Sequence, residues 1–257
     1  MTDSYMLSLR DISYSYHTLF GETKALDSLS FGVKEGEFVA VVGPSGCGKS
    51  TLLSIIAGLI KPEGGTITVN NPDGSCHYPR IGYMLQRDHL FEWRSVYQNV
   101  ILGLEIQDRM SEERLEYVDQ LLQDYGLEQF RDKCPGELSG GMKQRAALIR
   151  TLALDPQLLL LDEPFSALDY QTRLTVSADI CHLIRQTGKT MLLITHDLSE
   201  AISLADRIIV LSRRPATVKR EIPIHLTLQD DSPLASRNAP EFKTYFNQLW
   251  EEIKDEG

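Results

Sequence analysis

Gly43-Pro44-Ser45-Gly46-Cys47-Gly48-Lys49-Ser50 matches the pattern G-x-x-x-x-G-K-[ST], and the reading of the fold starts there. Glycines at this spacing let backbone amides turn inward as an anion cradle, and a helix opening at Lys49 points its positive end at the same place. Lys49 supplies a point charge for the β- and γ-phosphates of a nucleotide, and the Ser50 hydroxyl is placed to ligate Mg2+. The apolar run Phe38 to Val42 reads as a buried strand before the loop, and Lys49 to Leu59 as a helix after it. The motif requires this strand–loop–helix context, whereas a Gly-rich turn with no ligand, the plainer alternative, does not. Cys47 sits at the helix start, where a thiol pKa can fall, or is simply a small residue that fits.

Outward from the loop, apolar runs alternate with helical patterns. Ile81 to Leu85, Leu158 to Leu161, Met191 to Thr195 and Arg207 to Leu211 read as further strands. Their apolarity is continuous, as in parallel strands covered on both faces. Met6 to Tyr16, Ala25 to Val33 and Gly64 to Val69 read as an antiparallel piece. Residues from about Asp88 to Asp155 read as helices inserted between two sheet strands, with Leu115, Val118, Leu121 and Leu122 on one stripe and a second helix from Gly140 to Leu154. Pro233 to Pro240 reads as a linker, and Glu241 to Ile253 as a helix with Phe242, Phe246, Leu249 and Ile253 on one side. The fold expected is α/β: a P-loop nucleoside-triphosphatase (NTPase) core with a mostly parallel sheet, an N-terminal antiparallel β-subdomain and an inserted helical subdomain. One domain is expected over 7–238, with a helical tail over 239–257.

The 257 residues carry 26 Lys and Arg against 36 Asp and Glu, a net charge of -10. That balance argues against a general nucleic-acid or anionic-lipid binder. No apolar run approaches the ~18 residues of a membrane span, and no basic patch followed by an apolar stretch marks a secretory leader near Met1. Cys47, Cys76, Cys134 and Cys181 form no C-x-x-C pair, so reduced thiols are expected rather than a disulfide framework or a zinc knuckle.

Leu138-Ser139-Gly140-Gly141-Met142 opens another helix, with Ser139 as N-cap and two glycines exposing the amides behind it. Taken alone this is a capped helix. Beside the phosphate loop it is a second anion site, and one nucleotide has only one γ-phosphate. A two-fold dimer in which the second site of each copy faces the other copy's nucleotide resolves the mismatch. At these residues the sequence resembles the ATP-binding cassette ATPases: Leu138 to Met142 is similar to their signature motif, with Met142 where many members have Gln, and the resemblance runs from about Leu7 to Ile224.

Leu158 to Leu161 leads into Asp162-Glu163-Pro164. In nucleotide hydrolases the acid at such a strand end holds Mg2+, here Asp162. Glu163 resembles the family's general base, although paired acids can also be mere turn residues. Gln86 and His196 likewise follow strands, at the carboxyl ends where ligands gather in open sheets. The resemblance implies that Gln86 contacts Mg2+ and water, that His196 contacts the γ-phosphate, and that Asp169 in Ser166-Ala167-Leu168-Asp169 communicates across the dimer. It also implies an ATP site made of Gly43 to Thr51, Gln86, His196 and, from the signature, Ser139, Gly140 and Gly141. An aromatic near the N-terminus is expected on the adenine. Tyr14 and Tyr16 lie two apart and face one way on a strand, and the family offset favours Tyr16.

Leu90-Phe91-Glu92-Trp93 and Val96-Tyr97 form an aromatic, apolar cluster after Gln86. Leu90 and Val96 read as core. Trp93 and Tyr97 read either as core or as the lining of a groove for a partner helix. The resemblance implies the latter, with a permease seated there. It points to the nitrate/sulfonate/taurine importer branch through Met142, Trp93 and Arg214-Pro215, with Glu92 departing from a usual Pro. It implies an ATP-hydrolysing subunit, peripheral on the cytoplasmic face of the cell membrane. Its partners would be a second ATPase subunit, a permease and, indirectly, a solute-binding protein, with no nucleic acid. A soluble cassette ATPase of translation or DNA repair is the alternative. Such proteins usually join two cassettes or insert a long coiled coil.

Overall fold

Five consecutive buried residues in each of three segments, Phe38–Val42, Leu158–Asp162 and Thr190–Ile194, fix the centre of the molecule. A strand of that kind needs cover on both faces, which parallel pairing with flanking helices supplies. The computed structural model describes residues 5–19, 21–70, 80–166, 168–228 and 235–254. Its elements run β1 Tyr5–Thr18, β2 Gly21–Lys34, β3 Phe38–Val42, α1 Lys49–Ile56, β4 Gly64–Val69, β5 Ile81–Met84, α2 Val96–Val100, α3 Leu102–Ile106, α4 Glu112–Asp124, α5 Gly140–Leu152, β6 Leu158–Asp162, α6 Tyr170–Gln186, β7 Thr190–Ile194, α7 Leu198–Leu204, β8 Arg207–Leu211, β9 Val218–Pro223, α8 Ala235–Asn238 and α9 Phe242–Lys254.

The larger sheet has the order β5-β6-β7-β3-β8-β9 and is parallel except for β9, which pairs antiparallel with β8. The smaller sheet, β2-β1-β4, is antiparallel throughout. Side chains alternate between faces along each parallel strand. Val39, Val41, Leu158, Leu160, Leu192 and Ile194 pack with the N-terminal sheet and α1. Phe38, Leu159, Leu161, Met191 and Leu193 pack on the other face with the inserted helices and α6. Ala40, Val42, Ile208 and Val210 meet α7 and Leu249 of α9.

The insertion is helical as expected. Its α4 stripe buries Val118, Leu121 and Leu122 and leaves Leu115 packed at the margin. Ser111 caps α4 by accepting from the amide of Arg114. The insertion is tied back to the core at Asp155, whose carboxylate meets Lys189 at 2.7 Å, Arg80 at 3.1 Å and Arg114 at 3.5 Å. Burial alone would raise the Asp155 pKa, but these cations outweigh it and hold the carboxyl below its ordinary range.

Two details differ from the sequence reading. β9 has no apolar signature: Lys219, Arg220 and Glu221 are exposed, and the strand survives as a sheet edge, where charge is tolerated. Arg207 pairs with Glu221 across the β8–β9 ladder, and Glu252 of α9 takes both Lys219 and Arg220. The expected linker holds a short helix, α8, over Ala235–Asn238, whose Ala235 and Ser236 are buried; Pro233 lies outside the described residues. α9 packs against α7 and β8 through Leu249, which is fully buried. Cys76 also lies outside the described residues. No described cysteine forms a disulfide, and no described helix is long and apolar enough to cross a membrane.

Candidate nucleotide site

The loop after β3 turns on two glycines in the left-handed region, Gly46 at φ +74° and Gly48 at φ +121°. Gly48 is also the residue before α1, and a Cβ there would meet Leu26 Cδ2 at 3.0 Å and the Ala25 carbonyl at 3.1 Å, so β2 forbids a side chain. The Cys47 amide donates to the Pro44 carbonyl at 3.3 Å, closing the turn. Lys49 is buried and its ammonium donates to the Gly43 and Pro44 carbonyls, both at 2.9 Å. It thus lies inside the loop, with loop carbonyls as its partners. Cys47 is buried, its Sγ 3.9 Å from that ammonium, which agrees with a small residue that fits.

β6 ends beside α1, and there the Ser50 hydroxyl donates to Asp162 Oδ1 at 3.3 Å. Burial raises the Asp162 pKa; Glu163 adds to the rise, while Ser50 and Lys49 oppose it. A hydroxyl and a carboxylate that gains from added positive charge form a hard-cation donor pair. A magnesium ion held with a nucleotide takes its remaining ligands from phosphates and water. No described group of three or more His, Cys, Asp and Glu could hold a metal by itself.

Glu163 has φ +45°, a conformation that costs a non-glycine residue of order 1–3 kcal/mol. It is held by its own amide, which donates to the Ile194 carbonyl at 2.9 Å, and by Ser166, whose amide and hydroxyl both donate to the Glu163 carbonyl. The strained turn aims the carboxylate outward from the strand end. Glu163 Oε2 accepts from Gln86 Nε2 at 3.1 Å and stands 3.1 Å from His196 Nδ1. Three residues far apart in sequence thus meet at one oxygen. Gln86 reaches Glu163 rather than the Ser50–Asp162 pair.

His196 sits between Thr195 and Asp197, which fix its backbone. The Asp197 amide donates to Thr195 Oγ1 at 3.0 Å, and the Asp197 carboxylate caps α7 by accepting from Ser199 and Glu200. Behind this turn lies Glu200, buried, with no hydrogen-bond partner for its Oε1 among the described residues. Burial pushes its pKa up to about 7. Arg173 of α6 bridges the Leu168 carbonyl at 3.3 Å and Asp197 at 3.5 Å.

Tyr16 and Tyr14 face different surroundings. Their rings meet edge-on with centroids 5.0 Å apart. Tyr14 packs on the N-terminal core, whereas Tyr16 is 40% exposed and its hydroxyl lies 2.9 Å from Thr51 Oγ1, one residue past Ser50. A pairing irregularity between Tyr14 and Ser15 interrupts the strand.

Ser139, Gly140, Gly141 and Asp169 stand apart from this group, and no described hydrogen bond or ion pair links them to the phosphate loop. Ser139 caps α5 by accepting from Met142 N at 3.3 Å, and Ser139 and Gly140 are exposed. A Cβ on Gly141 would approach Thr172 Cγ2 to 3.2 Å, so α6 packs against the helix start. Asp169 caps α6, accepting from the amide of Thr172, a bond that holds its pKa low. Ala167 of that loop lies outside the described residues.

In the insertion, Leu90 and Val96 are core. Trp93 is 77% exposed, and its ring meets that of Phe91 with centroids 4.8 Å apart. Tyr97 is half-buried beneath Arg131, whose guanidinium stands 4.4 Å over its ring. The sequence reading missed Asn99. Its buried side chain accepts from Phe91 N and donates to the carbonyls of Phe91, Arg94 and Ser95, pinning the aromatic loop. The signal available was an amide flanked by Val96, Val100 and Ile101 in a helical stretch. The sequence reading likewise missed Arg173 and Glu200, which carry no motif of their own.

A family model described as ABC transporter matches residues 26–166. The uncharacterized ABC transporter ATP-binding protein YtlC of Bacillus subtilis is 43% identical over 247 residues, 96% of this chain and 95% of YtlC. The taurine import ATP-binding protein TauB of Jannaschia sp. is 39% identical over 248 residues, covering 96% of this chain and 92% of TauB. The nitrate import ATP-binding protein NrtD of Synechocystis sp. is 39% identical over 247 residues, covering 95% and 93%. Among solved structures, a dimeric post-hydrolysis state of the ATP-binding cassette MJ0796 bound to ADP and Pi matches with a TM-score of 0.73 and 33% identity. The match covers 86% of this chain and 99% of that one.

Proposed function

Since the chain belongs to the ABC transporter family, as an ATP-binding protein of the cassette fold, we propose that it is the ATP-hydrolysing subunit of an importer. It closes as a dimer around two Mg-ATP and drives a permease that takes up a small solute of the nitrate, sulfonate, taurine or vitamin-precursor kind. The observation that carries the catalytic reading is the meeting of Gln86 and His196 at Glu163 Oε2, beside the Ser50–Asp162 pair and the phosphate loop.

Triphosphate lies in the loop of Gly43 to Thr51 against its free backbone N–H groups, and Lys49 exchanges a loop carbonyl for a phosphate oxygen, while Tyr16 stacks on the adenine. Ser50 and Asp162 would hold Mg2+, with Gln86 as a further ligand, and the ion would supply positive charge to neutralise the β- and γ-phosphates. Glu163 accepts a proton from the attacking water as its oxygen bonds to the γ-phosphorus, and the bond to the β,γ-bridging oxygen breaks, giving ADP and phosphate. His196 donates to a γ-phosphate oxygen and keeps Glu163 aimed.

The signature residues act in the partner copy's site. Ser139 and Gly140 are exposed at the start of a thirteen-residue helix, whose positive end suits a γ-phosphate. Asp169, close by on α6, faces the same interface. The relatives named for taurine and nitrate import support the importer reading. The exposed Phe91–Trp93 pair suits a cytoplasmic helix of the permease, and a chain docked in that way would lie on the cytoplasmic face of the membrane. A solute-binding protein would reach it only through that permease.

Phosphate release from Mg-ATP by the purified chain, with Lys49→Ala as control, tests the catalytic reading. Turnover in the wild type and its loss in the variant are expected. Equal turnover in both would refute the assignment of the site.

A further inference from the structure

Arg214, which entered above only as a sequence mark of the importer branch, grips the phosphate loop with its guanidinium. Its Nε and Nη2 donate to one carbonyl, that of Gly46, at 3.1 and 2.6 Å. We propose that Arg214 is a positioning residue for the nucleotide site, holding the Gly46–Cys47 peptide in the orientation that the anion cradle needs. The inference rests on the proposed turnover of ATP at this loop.

A trans peptide points its carbonyl and its N–H in opposite directions. With the Gly46 carbonyl drawn out to Arg214, the Cys47 amide must face into the loop, and it does so, donating to the Pro44 carbonyl at 3.3 Å. Gly46 is the residue most able to turn away: it has φ +74°, no side chain and a neighbouring glycine at 48. A charge-assisted pair of hydrogen bonds to its carbonyl removes that freedom before nucleotide arrives.

The arginine is itself held. The turn that carries it is closed by Ser212 N to Thr217 O at 3.0 Å and by Thr217 N to Ser212 Oγ at 2.9 Å. Ala216 is fully buried and laced to β2, its amide donating to the Ala25 carbonyl and its carbonyl accepting from the Asp27 amide, both at 2.9 Å. β2 in turn abuts Gly48 through Leu26 and Ala25. The phosphate loop is thus braced from outside at Gly46 by the β8–β9 turn and lined at Gly48 by β2. Guanidinium charge beside the loop also favours an incoming polyphosphate.

The test compares the full-length wild type, Arg214→Ala and Arg214→Lys in binding of a fluorescent ATP analogue, in Mg-ATP turnover and in thermal unfolding. Arg214→Ala is expected to raise Kd and KM about three- to tenfold with kcat within about twofold and the melting temperature unchanged. Arg214→Lys recovers part of that loss, because an ammonium donates to the same carbonyl without the paired geometry. Unchanged Kd and KM in Arg214→Ala overturn the proposal, with or without a fall in melting temperature. A fall in kcat at unchanged affinity assigns Arg214 to the reacting phosphate and overturns it as well. A wild type that binds the analogue and turns over ATP keeps the proposed function standing whichever way Arg214 reads; one that does neither refutes both.

Discussion

Glu200→Gln isolates the buried carboxyl behind the His196 turn. Burial is the main cause of its raised pKa, about 7 against an ordinary 4.5, with Asp197 and Glu163 adding to the rise and Thr195 and Arg173 opposing it. Between those two values the native state keeps a proton that the unfolded chain has released. Stability must therefore fall as pH rises through this window, by about 1.4 kcal/mol per unit, and level off above pH 7. The whole window is worth about 3 kcal/mol, an order-of-magnitude figure for a group so deeply buried. Glutamine keeps the shape, the bond to Thr195 and the neutral state at every pH. Urea unfolding of wild type and variant at pH 5, 6 and 8 reads the effect. The variant should match the wild type near pH 5 and gain on it steadily, by roughly 2–3 kcal/mol at pH 8. A stability difference that does not change with pH would refute the reasoning, because it would mean that Glu200 is ionised in the native state throughout.

Two further substitutions probe the surfaces that the isolated site does not use. Ser139→Arg should leave nucleotide binding by the chain near wild type, measured with a fluorescent ATP analogue, while phosphate release falls at least about a hundredfold, in the range seen for loss of a transition-state donor. Normal turnover would mean that the signature helix never meets a nucleotide. Trp93→Ala removes an aromatic that is 77% exposed, so turnover by the isolated chain and its melting temperature should hold. Co-purification with a membrane protein from native membranes should drop, and unchanged recovery would remove the Phe91–Trp93 surface from the docking account.

The phosphate loop and the strand ends were legible because their chemistry is local: Lys49, Ser50, Asp162 and Glu163 each follow a run of residues that declares its own strand or helix. The three central parallel strands were legible for a similar reason, since a nearly unbroken apolar run leaves few alternatives. β9 was not, because its Lys219-Arg220-Glu221 face is stabilised by partners elsewhere, Arg207 on the neighbouring strand and Glu252 on α9. Tyr14 and Tyr16 could not be separated by period-two counting, because an irregularity in the pairing and the position of α1 decide which ring reaches Thr51. Asn99 and Arg214 act through backbone carbonyls, and a backbone partner leaves no trace in the order of residues. The convergence at Glu163 Oε2 is likewise a property of the sheet order, which sets the end of β6 between those of β5 and β7.

Glu163→Gln tests most directly whether the nucleotide site is a composite of two copies. Glutamine retains a group beside Gln86 and His196 but cannot take the proton of the attacking water, so ATP should bind and persist. The mass of the variant in solution, measured by size-exclusion chromatography with light scattering, should double on addition of Mg-ATP and return to that of the monomer when ADP replaces it. A variant that binds Mg-ATP and remains a monomer would contradict the claim that two copies close around the nucleotide.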